Sequence, residues 1–248
     1  MTVPAYTHEE FIATVMARLV RGLRHIAVGA LSPVPATAAL LARETTTPPP
    51  RVTILGSPRH LSFTDGGREL FDCAAQGRID AFFLSGAQID GQANINLVGI
   101  GDYAQPTRRF PGSFGSAYLY HLIPNVILFR LEHTPRIFVP KVDFISAAGV
   151  SPPHVYRPGG PRFLVTNKCV MRFDPAAQCF ELVERYPEIS AAEIVDCTGF
   201  EFRHAPKITT TLPPTPHELA LLRGVIRAEL QGAYPQFAAK AFKPRNGS

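Results

Sequence analysis

Residues Ser85 to Ala117 hold the side chains best suited to contact a small polar ligand. Gln88, Asn94 and Asn96 carry amides in a chain that is otherwise apolar. The two asparagines alternate with apolar residues, which is the period of a β-strand and predicts that both amides lie on one face. An amide offers hydrogen-bond donors and an acceptor together. The pattern indicates either a ligand-binding face or a set of amides that holds a loop together.

A glycine-rich loop follows these amides and ends in Pro111-Gly112-Ser113-Phe114-Gly115-Ser116. Glycines at positions 112 and 115 let the backbone approach a ligand closely and turn its N–H groups toward developing negative charge. Loops of glycine and serine are also common simple turns. Both interpretations of this loop stay open from the residues alone.

A second group with chemical potential is Gly56-Ser57-Pro58-Arg59-His60, which follows a predicted strand. A serine acts as a nucleophile when an oriented base lies within hydrogen-bond reach, and His60 is three residues away. The spacing is not that of a G-x-S-x-G nucleophile elbow. A turn whose side chains diverge is the alternative interpretation.

The elements that must position these groups alternate between apolar strands and amphipathic helices. Capping-box sequences at Thr7-His8-Glu9-Glu10, Ser190-Ala191-Ala192-Glu193 and Thr215-Pro216-His217-Glu218 predict three helix starts. Further helices are predicted at Ala36–Arg43, after a rigid turn at Ser32–Pro35, at Gly66–Gln76 and from Tyr118. Strands are predicted at His25–Ala30, Arg51–Leu55, Ile79–Leu84, Val126–Phe129 and Arg136–Val139, with a hairpin of Phe163–Phe173 and Cys179–Glu184.

This alternation predicts an α/β fold with an open, largely parallel sheet covered by helices on both faces, followed by a β-hairpin and closing helices. A chain of 248 residues, 46% hydrophobic, can bury one large core, and we expect a single domain over residues 1–248. The tail from about residue 240 to 248 is polar, and we expect it to be frayed.

Composition argues against several classes of protein. The net charge is +5, but the Lys and Arg residues are dispersed, so we expect no nucleic-acid partner. None of the four cysteines forms a C-x-x-C pair, which argues against a zinc site, and we expect no metal. The N-terminal stretch carries acidic and basic residues throughout, which is typical neither of a signal peptide nor of a membrane span. We therefore expect a cytoplasmic protein with no membrane partner.

The amide stretch also resembles a known family. The run from Gly86 to Asp90, the Asn94 and Asn96 pair and the loop from Pro111 to Gly115 are similar to the β-subunits of the family I coenzyme A transferases, of the glutaconate type. The similarity extends from about Ile26 to Leu230. It implies the open α/β coenzyme A transferase fold and no permanently bound cofactor, with coenzyme A as part of the substrate.

These transferases use a β-subunit glutamate that follows a T-I-[LV]-x-E strand and attacks the thioester. In this chain the matching position is Ser57, and residues 51–64 contain no Asp or Glu. The departure removes the carboxylate that covalent transfer requires. Three explanations stay open: a hydrolase whose base lies on a partner, a transferase that uses another carboxylate such as Glu69, or Ser57 itself as nucleophile with His60.

We favour the hydrolase. The chain resembles the β-subunits of hydrolases that open the last steroid rings in cholesterol catabolism, through the asparagine pair, Gln105–Arg109 and Thr198–Leu221. That resemblance implies retro-Claisen-like cleavage of a ring-containing acyl-CoA, with the base on a coenzyme A transferase α-subunit, in a heterodimer or an α2β2 heterotetramer. Its implied contacts to substrate and coenzyme A are Gln88, Asn94, Asn96, Arg108, Arg109, Gly112, Ser113, Phe114 and Gly115. Acyl-CoA:carboxylate transfer and a non-catalytic partner subunit are the alternatives.

Overall fold

The computed structural model describes residues 6–242. Its helices are α1 (His8–Leu19), α2 (Pro33–Glu44), α3 (Gly66–Ala75), α4 (Ser116–Leu122), α5 (Ala191–Asp196), α6 (Pro216–Leu221), α7 (Arg227–Leu230) and α8 (Pro235–Ala241). A π-helical segment, Leu222–Ile226, joins α6 to α7. Its strands are β1 (His25–Val28), β2 (Arg51–Ile54), β3 (Ala81–Leu84), β4 (Gln88–Ile89), β5 (Ile95–Asn96), β6 (Gly99–Ile100), β7 (Arg108–Arg109), β8 (Asn125–Arg130), β9 (Pro161–Thr166), β10 (Cys169–Asp174), β11 (Cys179–Arg185) and β12 (Arg203–Thr210).

The described chain forms two compact units. The first contains residues 6–73, 78–83 and 212–242, and the second contains residues 74–77 and 84–211. The expectation of a single domain stays a prediction. Residues 243–248, which form most of the predicted frayed tail, lie outside the described residues, and α8 runs to Ala241 just before them.

The first unit is built on three parallel strands in the order β3-β1-β2. All four residues of β1 and of β3 are buried, as expected for a parallel sheet covered by helices. Helix α2 packs on β1, β2 and α1. Two capping boxes confirm the predicted starts of α1 at Thr7 and of α6 at Thr215.

The second unit holds a mixed sheet in the order β8-β9-β10-β11-β12. The pairs β8–β9 and β11–β12 are parallel, whereas β9–β10 and β10–β11 are antiparallel. Two antiparallel ribbons, β4–β5 and β6–β7, carry the amide stretch and the arginines. The prediction of a largely parallel α/β fold is confirmed, because four of the six pairs that β1–β3 and β8–β12 form within the two units run parallel.

Several predicted elements are wrong. Pro33 to Pro35 form the first turn of α2 instead of a separate turn, since a proline is tolerated in a first helical turn, where its missing N–H is not needed. Residues Arg136–Val139 form a turn with an isolated bridge at Phe138, not a strand. The segment Phe163–Phe173 divides into β9 and β10 around Asn167. The predicted hairpin is therefore a three-stranded antiparallel meander of β9, β10 and β11. Strand β12 is not in the sequence prediction, because its residues are mostly exposed and lack an apolar face.

Candidate functional site

Ser57 lies at the carboxyl end of β2, where α/β sheets commonly bind ligands. The chain turns there through Gly56, whose φ is +78° and whose added Cβ would lie 3.3 Å from the Ala30 side chain. Both the left-handed conformation and the close approach require glycine. The following turn is closed by bonds from the His60 and Leu61 N–H groups to the Ser57 carbonyl, at 3.2 and 2.8 Å.

This turn brings the serine and histidine side chains together. Ser57 Oγ lies 3.1 Å from His60 Nδ1, and the other ring nitrogen, Nε2, lies 2.8 Å from Glu229 Oε2 on α7. All three residues are buried, with Ser57 only 2% exposed. The structure therefore contains a Ser57–His60–Glu229 relay, which is a continuous hydrogen-bonded chain within the first unit.

The carboxylate at the end of the relay is ionised. Burial acts to raise the pKa of Glu229, but hydrogen bonds from Arg43 and His60 outweigh it and bring the pKa below its usual value. Arg43 donates to both carboxylate oxygens, at 2.9 and 2.8 Å. An ionised carboxylate only accepts hydrogen bonds, so His60 Nε2 carries a proton and donates to Glu229, while Nδ1 lies within hydrogen-bond distance of the Ser57 hydroxyl.

A hydroxyl, a base and an orienting carboxylate in this order are the elements of an activated nucleophile. Two features weaken that role for Ser57. Its hydroxyl is buried, and its own N–H donates to the Ile54 carbonyl at 3.2 Å, so that N–H is not available to an oxyanion. Ser57 and His60 were identified from the sequence. Glu229 was missed because it lies 169 residues from His60 and no local pattern connects them.

In the second unit, Gln88 and Asn96 bond to each other and to backbone. Asn96 Nδ2 donates to Gln88 Oε1 and to the Gly99 carbonyl, both at 2.7 Å, and Asn96 Oδ1 accepts from the Val98 and Gly99 N–H groups. Gln88 Nε2 donates to Asp143 Oδ2 at 3.1 Å. Both side chains are therefore committed to holding loops together. Their role as ligand contacts stays a prediction.

Asn94 belongs to a separate cluster around the buried Asp90. Asp90 Oδ1 accepts from the Gln92 and Asn94 N–H groups and so holds an Asx-type turn. The Asn94 side chain donates to Asp90 Oδ2 at 3.0 Å and accepts from the Gly149 N–H at 3.1 Å. Asn94 and Asn96 thus stabilise different loops. Asn94 also borders a cavity of about 410 Å³ with Lys141 and Glu201, so a ligand role for it stays a prediction.

The glycine loop is a surface turn that leads into α4. Gly112 has a φ of +103° and Phe114 has a φ of +47°, and the Phe114 ring is 84% exposed. A left-handed conformation in a bulky residue costs on the order of 1 kcal/mol or more. Ser113 accepts at its carbonyl from the Ser116 N–H at 2.8 Å, and Gly115 is the N-cap of α4. The oxyanion role of this loop stays a prediction.

Arg108 and Arg109 occupy β7 and are exposed. Arg108 lies over the Phe110 ring at 5.3 Å and lines a cavity of about 430 Å³, whereas Arg109 lies over Tyr103 at 5.0 Å. Successive residues of a strand point to opposite faces. This explains why Arg108 and Arg109 contact different aromatic rings.

Glu69 and His133 both make contacts that stabilise the structure. Glu69, the alternative nucleophile, accepts from the Thr64 N–H at 2.6 Å and from the Thr64 hydroxyl at 3.0 Å, at the start of α3. His133 lies between the hydroxyls of Thr166 and Thr198, and burial lowers its pKa to about 4. Within residues 6–242, no three His, Cys, Asp or Glu side chains lie together as a metal site would require.

The fold and the strand-end position of Ser57 agree with a match to known proteins. The chain belongs to the coenzyme A transferase family, whose model matches residues 13–196. This confirms the resemblance drawn from the amide stretch. None of the helices within residues 6–242 is both long enough and apolar enough to span a bilayer.

Two curated relatives match part of the chain. The β-subunit of the 3-oxoadipate CoA-transferase of Pseudomonas knackmussii is 33% identical over 60% of this chain and 59% of its own length. The β-subunit of the glutaconate CoA-transferase of Acidaminococcus fermentans is 32% identical over 57% of this chain and 54% of its own length. The match to these two transferases thus spans little more than half of their length.

A third relative matches nearly end to end. The IpdB subunit of the cholesterol ring-cleaving hydrolase of Rhodococcus jostii is 28% identical over 91% of this chain and 94% of its own length. The crystal structure of Rhodococcus jostii IpdAB superposes with a TM-score of 0.79 and 27% identity, and covers 89% of this chain and 94% of that chain.

Proposed function

We propose that the chain is the β-subunit of a heteromeric hydrolase that opens the ring of a cyclic-ketone acyl-CoA in steroid degradation, with its catalytic base on a partner α-subunit. The near full-length match to a cholesterol ring-cleaving hydrolase subunit supports this assignment. The proposal includes acyl-CoA as substrate and no permanently bound cofactor. A cytoplasmic location and an α2β2 assembly stay predictions.

The observation that carries the proposal is the chemistry at the end of β2. Residues 51–64 contain no carboxylate that could accept an acyl group or coenzyme A. The nearby carboxylate of Glu229 is 7% exposed and is already bonded to Arg43 and His60. A carboxylate held in this way is a poor nucleophile, because attack would break its charge-assisted hydrogen bonds. Hydrolysis by water needs no acidic nucleophile from this subunit.

The proposed reaction is a hydrolytic carbon–carbon cleavage. The partner's base removes a proton from water, and the water oxygen bonds to the ring ketone carbon. The bond from that carbon to the carbon next to the thioester breaks, and its electron pair is delocalised into the thioester as an enolate. A proton returned to that carbon completes the reaction, and the product is a ring-opened acid that still carries coenzyme A. The enolate needs hydrogen-bond donors, which a preorganised site supplies without reorganisation.

Ser57 is the residue of this chain that we place beside the reaction. Its hydroxyl is held by His60 Nδ1 at 3.1 Å, and it also accepts from the His60 N–H at 3.3 Å. The His60–Glu229 pair fixes the direction of this hydroxyl. In this proposal Ser57 orients polar groups at the strand end and forms no covalent bond to the substrate.

The test is an assay of the complex purified from cells that express this chain with its α-subunit. A cyclic β-keto acyl-CoA is incubated with the complex, and no acceptor acid is added. The expected product is heavier than the substrate by one water and keeps its thioester, as read by mass spectrometry. Strict dependence of turnover on an added carboxylic acid would reject hydrolysis.

The second candidate is acyl-CoA:carboxylate transfer, which is favoured by the higher identity to the two transferase subunits. It predicts a covalent glutamyl-CoA adduct on this chain. Intact-mass analysis after mixing the complex with an acyl-CoA separates the two functions, because the hydrolase is expected to show no such adduct. Absence of both activities would support the third possibility, a subunit that only stabilises its partner.

A further inference from the structure

The second unit contains a cavity of about 430 Å³ with three arginines in its lining, Arg108, Arg130 and Arg136. They come from β7, from the end of β8 and from the turn that follows β8. Gln88 and Phe110 also line the cavity. The guanidinium groups can donate hydrogen bonds to a ligand, whereas the phenyl ring offers an apolar surface.

Arg130 is the unusual member of this group. Its Nε is buried and has no hydrogen-bond partner within residues 6–242. Burial lowers the pKa of Arg130, and nearby Arg136 lowers it further, while Glu132 acts in the opposite direction. A buried donor without an acceptor is rare in native proteins and calls for an explanation, such as a role in binding an ion or a ligand.

The nearby carboxylates do not balance the positive charge of the three arginines. Glu132 accepts two hydrogen bonds from Arg136, both at 2.8 Å. Asp143 accepts from Gln88 and from the Gly101 N–H. Three guanidinium groups therefore border the cavity, and one of them, that of Arg136, is paired to a carboxylate. A dianion balances the remaining two charges better than a monoanion does.

We infer that this cavity, the arginine pocket, binds a phosphate group of a nucleotide, with Arg130 as its principal donor and Arg108 at its rim. A phosphate carries close to two negative charges near neutral pH, and guanidinium groups bind it through paired hydrogen bonds. Phe110, which lies under Arg108, provides an apolar face for the rest of the nucleotide. The inference rests on the proposed function, since coenzyme A is then the nucleotide.

Adenosine 3′,5′-bisphosphate is the probe that tests the pocket, because it carries the 3′-phosphate and the first of the two 5′-phosphates of coenzyme A, without a thioester. Its binding to the full-length protein is measured by calorimetry at low ionic strength, alongside inorganic phosphate and the dicarboxylate glutarate. We expect the bisphosphate to bind more tightly than either small anion. Arg130→Gln is expected to weaken its binding by about tenfold or more, a loss of about 1.4 kcal/mol.

Two further variants separate charge from geometry. Arg130→Lys keeps the charge but loses the planar fork, and we expect a smaller loss of affinity of about threefold. Arg68→Gln removes an exposed arginine that pairs with Asp65 outside the pocket, and we expect affinity within about twofold of the original. Because Arg130 Nε has no partner to lose, Arg130→Gln is expected to keep the melting temperature, which distinguishes a ligand role from a structural one.

The inference is overturned if the bisphosphate does not bind, if glutarate or inorganic phosphate binds equally well, or if Arg130→Gln and Arg68→Gln bind alike. These results are independent of catalysis. A protein that binds the bisphosphate through Arg130 but opens no ring would leave the pocket in place and reject only the proposed reaction.

Discussion

His60 Nε2 lies 2.8 Å from Glu229 Oε2, and this contact joins the turn after β2 to helix α7 across 169 residues of sequence. The two residues are 9% and 7% exposed. Because Arg43 also bonds to Glu229, the carboxylate keeps its charge and in turn fixes the His60 tautomer. The hydroxyl of Ser57 is therefore held in one direction by a group that the local sequence does not contain.

Replacing Ser57 with alanine tests what this hydroxyl does. If Ser57 orients the site, we expect Ser57→Ala to lower kcat by about tenfold, the upper value of one neutral hydrogen bond. The measurement is steady-state turnover of a cyclic β-keto acyl-CoA by the complex. Ser62→Ala is the matched control, because Ser62 is exposed and its hydroxyl bonds to Thr53 at 2.8 Å, outside the Ser57–His60–Glu229 relay; it is expected to leave kcat unchanged.

A larger effect would assign a different role to the same residue. Loss of a true nucleophile costs on the order of 10⁴-fold or more. A fall of that size, together with an acyl adduct on Ser57 in the unaltered enzyme, would make Ser57 the attacking group and replace the partner-base mechanism.

The charge on Glu229 predicts a pH-dependent stability. Its pKa in the folded state lies below the ordinary value of 4.5. The stability that it contributes is thus fully present above pH 4.5 and is lost as the pH falls through the folded pKa. We expect Glu229→Gln to lower the unfolding free energy by about 1–3 kcal/mol at pH 7, because Arg43 and His60 lose a charged acceptor.

Urea unfolding of both proteins at pH 7 and pH 4 measures this effect. The difference between the original chain and Glu229→Gln is expected to shrink at the lower pH. Glu44→Gln is the control, because Glu44 contacts the same Arg43 from a more exposed position. An equal loss in the two variants would mean that the buried contacts of Glu229 contribute no more than the more exposed pair of Glu44 with Arg43.

His133 predicts a second pH dependence, in a higher range. Burial lowers its folded pKa to about 4 from the ordinary 6.5, so the unfolded chain binds a proton that the folded chain refuses. Stability is therefore expected to fall as the pH drops from 6.5 toward 4, by about 3 kcal/mol at most. Urea unfolding at pH 7, 6 and 5 measures the slope.

His133→Gln removes the titrating group and is expected to flatten that slope, although it also weakens the contacts to Thr166 and Thr198 at every pH. His204→Gln, at an exposed position in β12, is the control and is expected to keep the original slope. A steep slope that survives in His133→Gln would place the acid sensitivity elsewhere.

Much of the fold could be predicted because the spacing of apolar residues and the helix-capping sequences are local properties of the chain. The boxes at Thr7 and Thr215 and the buried strands around Ala27 and Phe83 were predicted close to where the structure has them. Strand β12 could not be predicted, since it is stabilised by pairing with β11 and its residues have no buried face. A strand that is held only by pairing with another strand shows no alternation of apolar and polar residues in the sequence.

The candidate site was predictable only where its residues are neighbours. Ser57 and His60 belong to one turn, and their spacing pointed to a base and a hydroxyl. Glu229 and Arg130 depend on tertiary packing, because their significance comes from a distant partner in one case and from a missing partner in the other. No property of the flanking residues carries that information.

Replacing Asn96 with alanine tests whether the amide stretch is structural or binds a ligand. The Asn96 side chain is fully buried and makes four hydrogen bonds, to Gln88, Val98 and both backbone groups of Gly99. Asn96→Ala removes these bonds and leaves both backbone groups of Gly99 without their side-chain partner, and we expect a loss of about 2–4 kcal/mol in unfolding free energy. For the folded fraction, KM for the acyl-CoA is expected to stay within about twofold, because no donor of Asn96 is left for a ligand.

Gln92→Ala is the matched control, since Gln92 is exposed in the same stretch and its contribution is a backbone N–H bond to Asp90 that alanine keeps. Chemical denaturation and steady-state kinetics on both variants decide between the roles. A rise in KM of tenfold or more in Asn96→Ala, with the unfolding free energy unchanged, would show that the amide contacts substrate and that its loop bonds are dispensable.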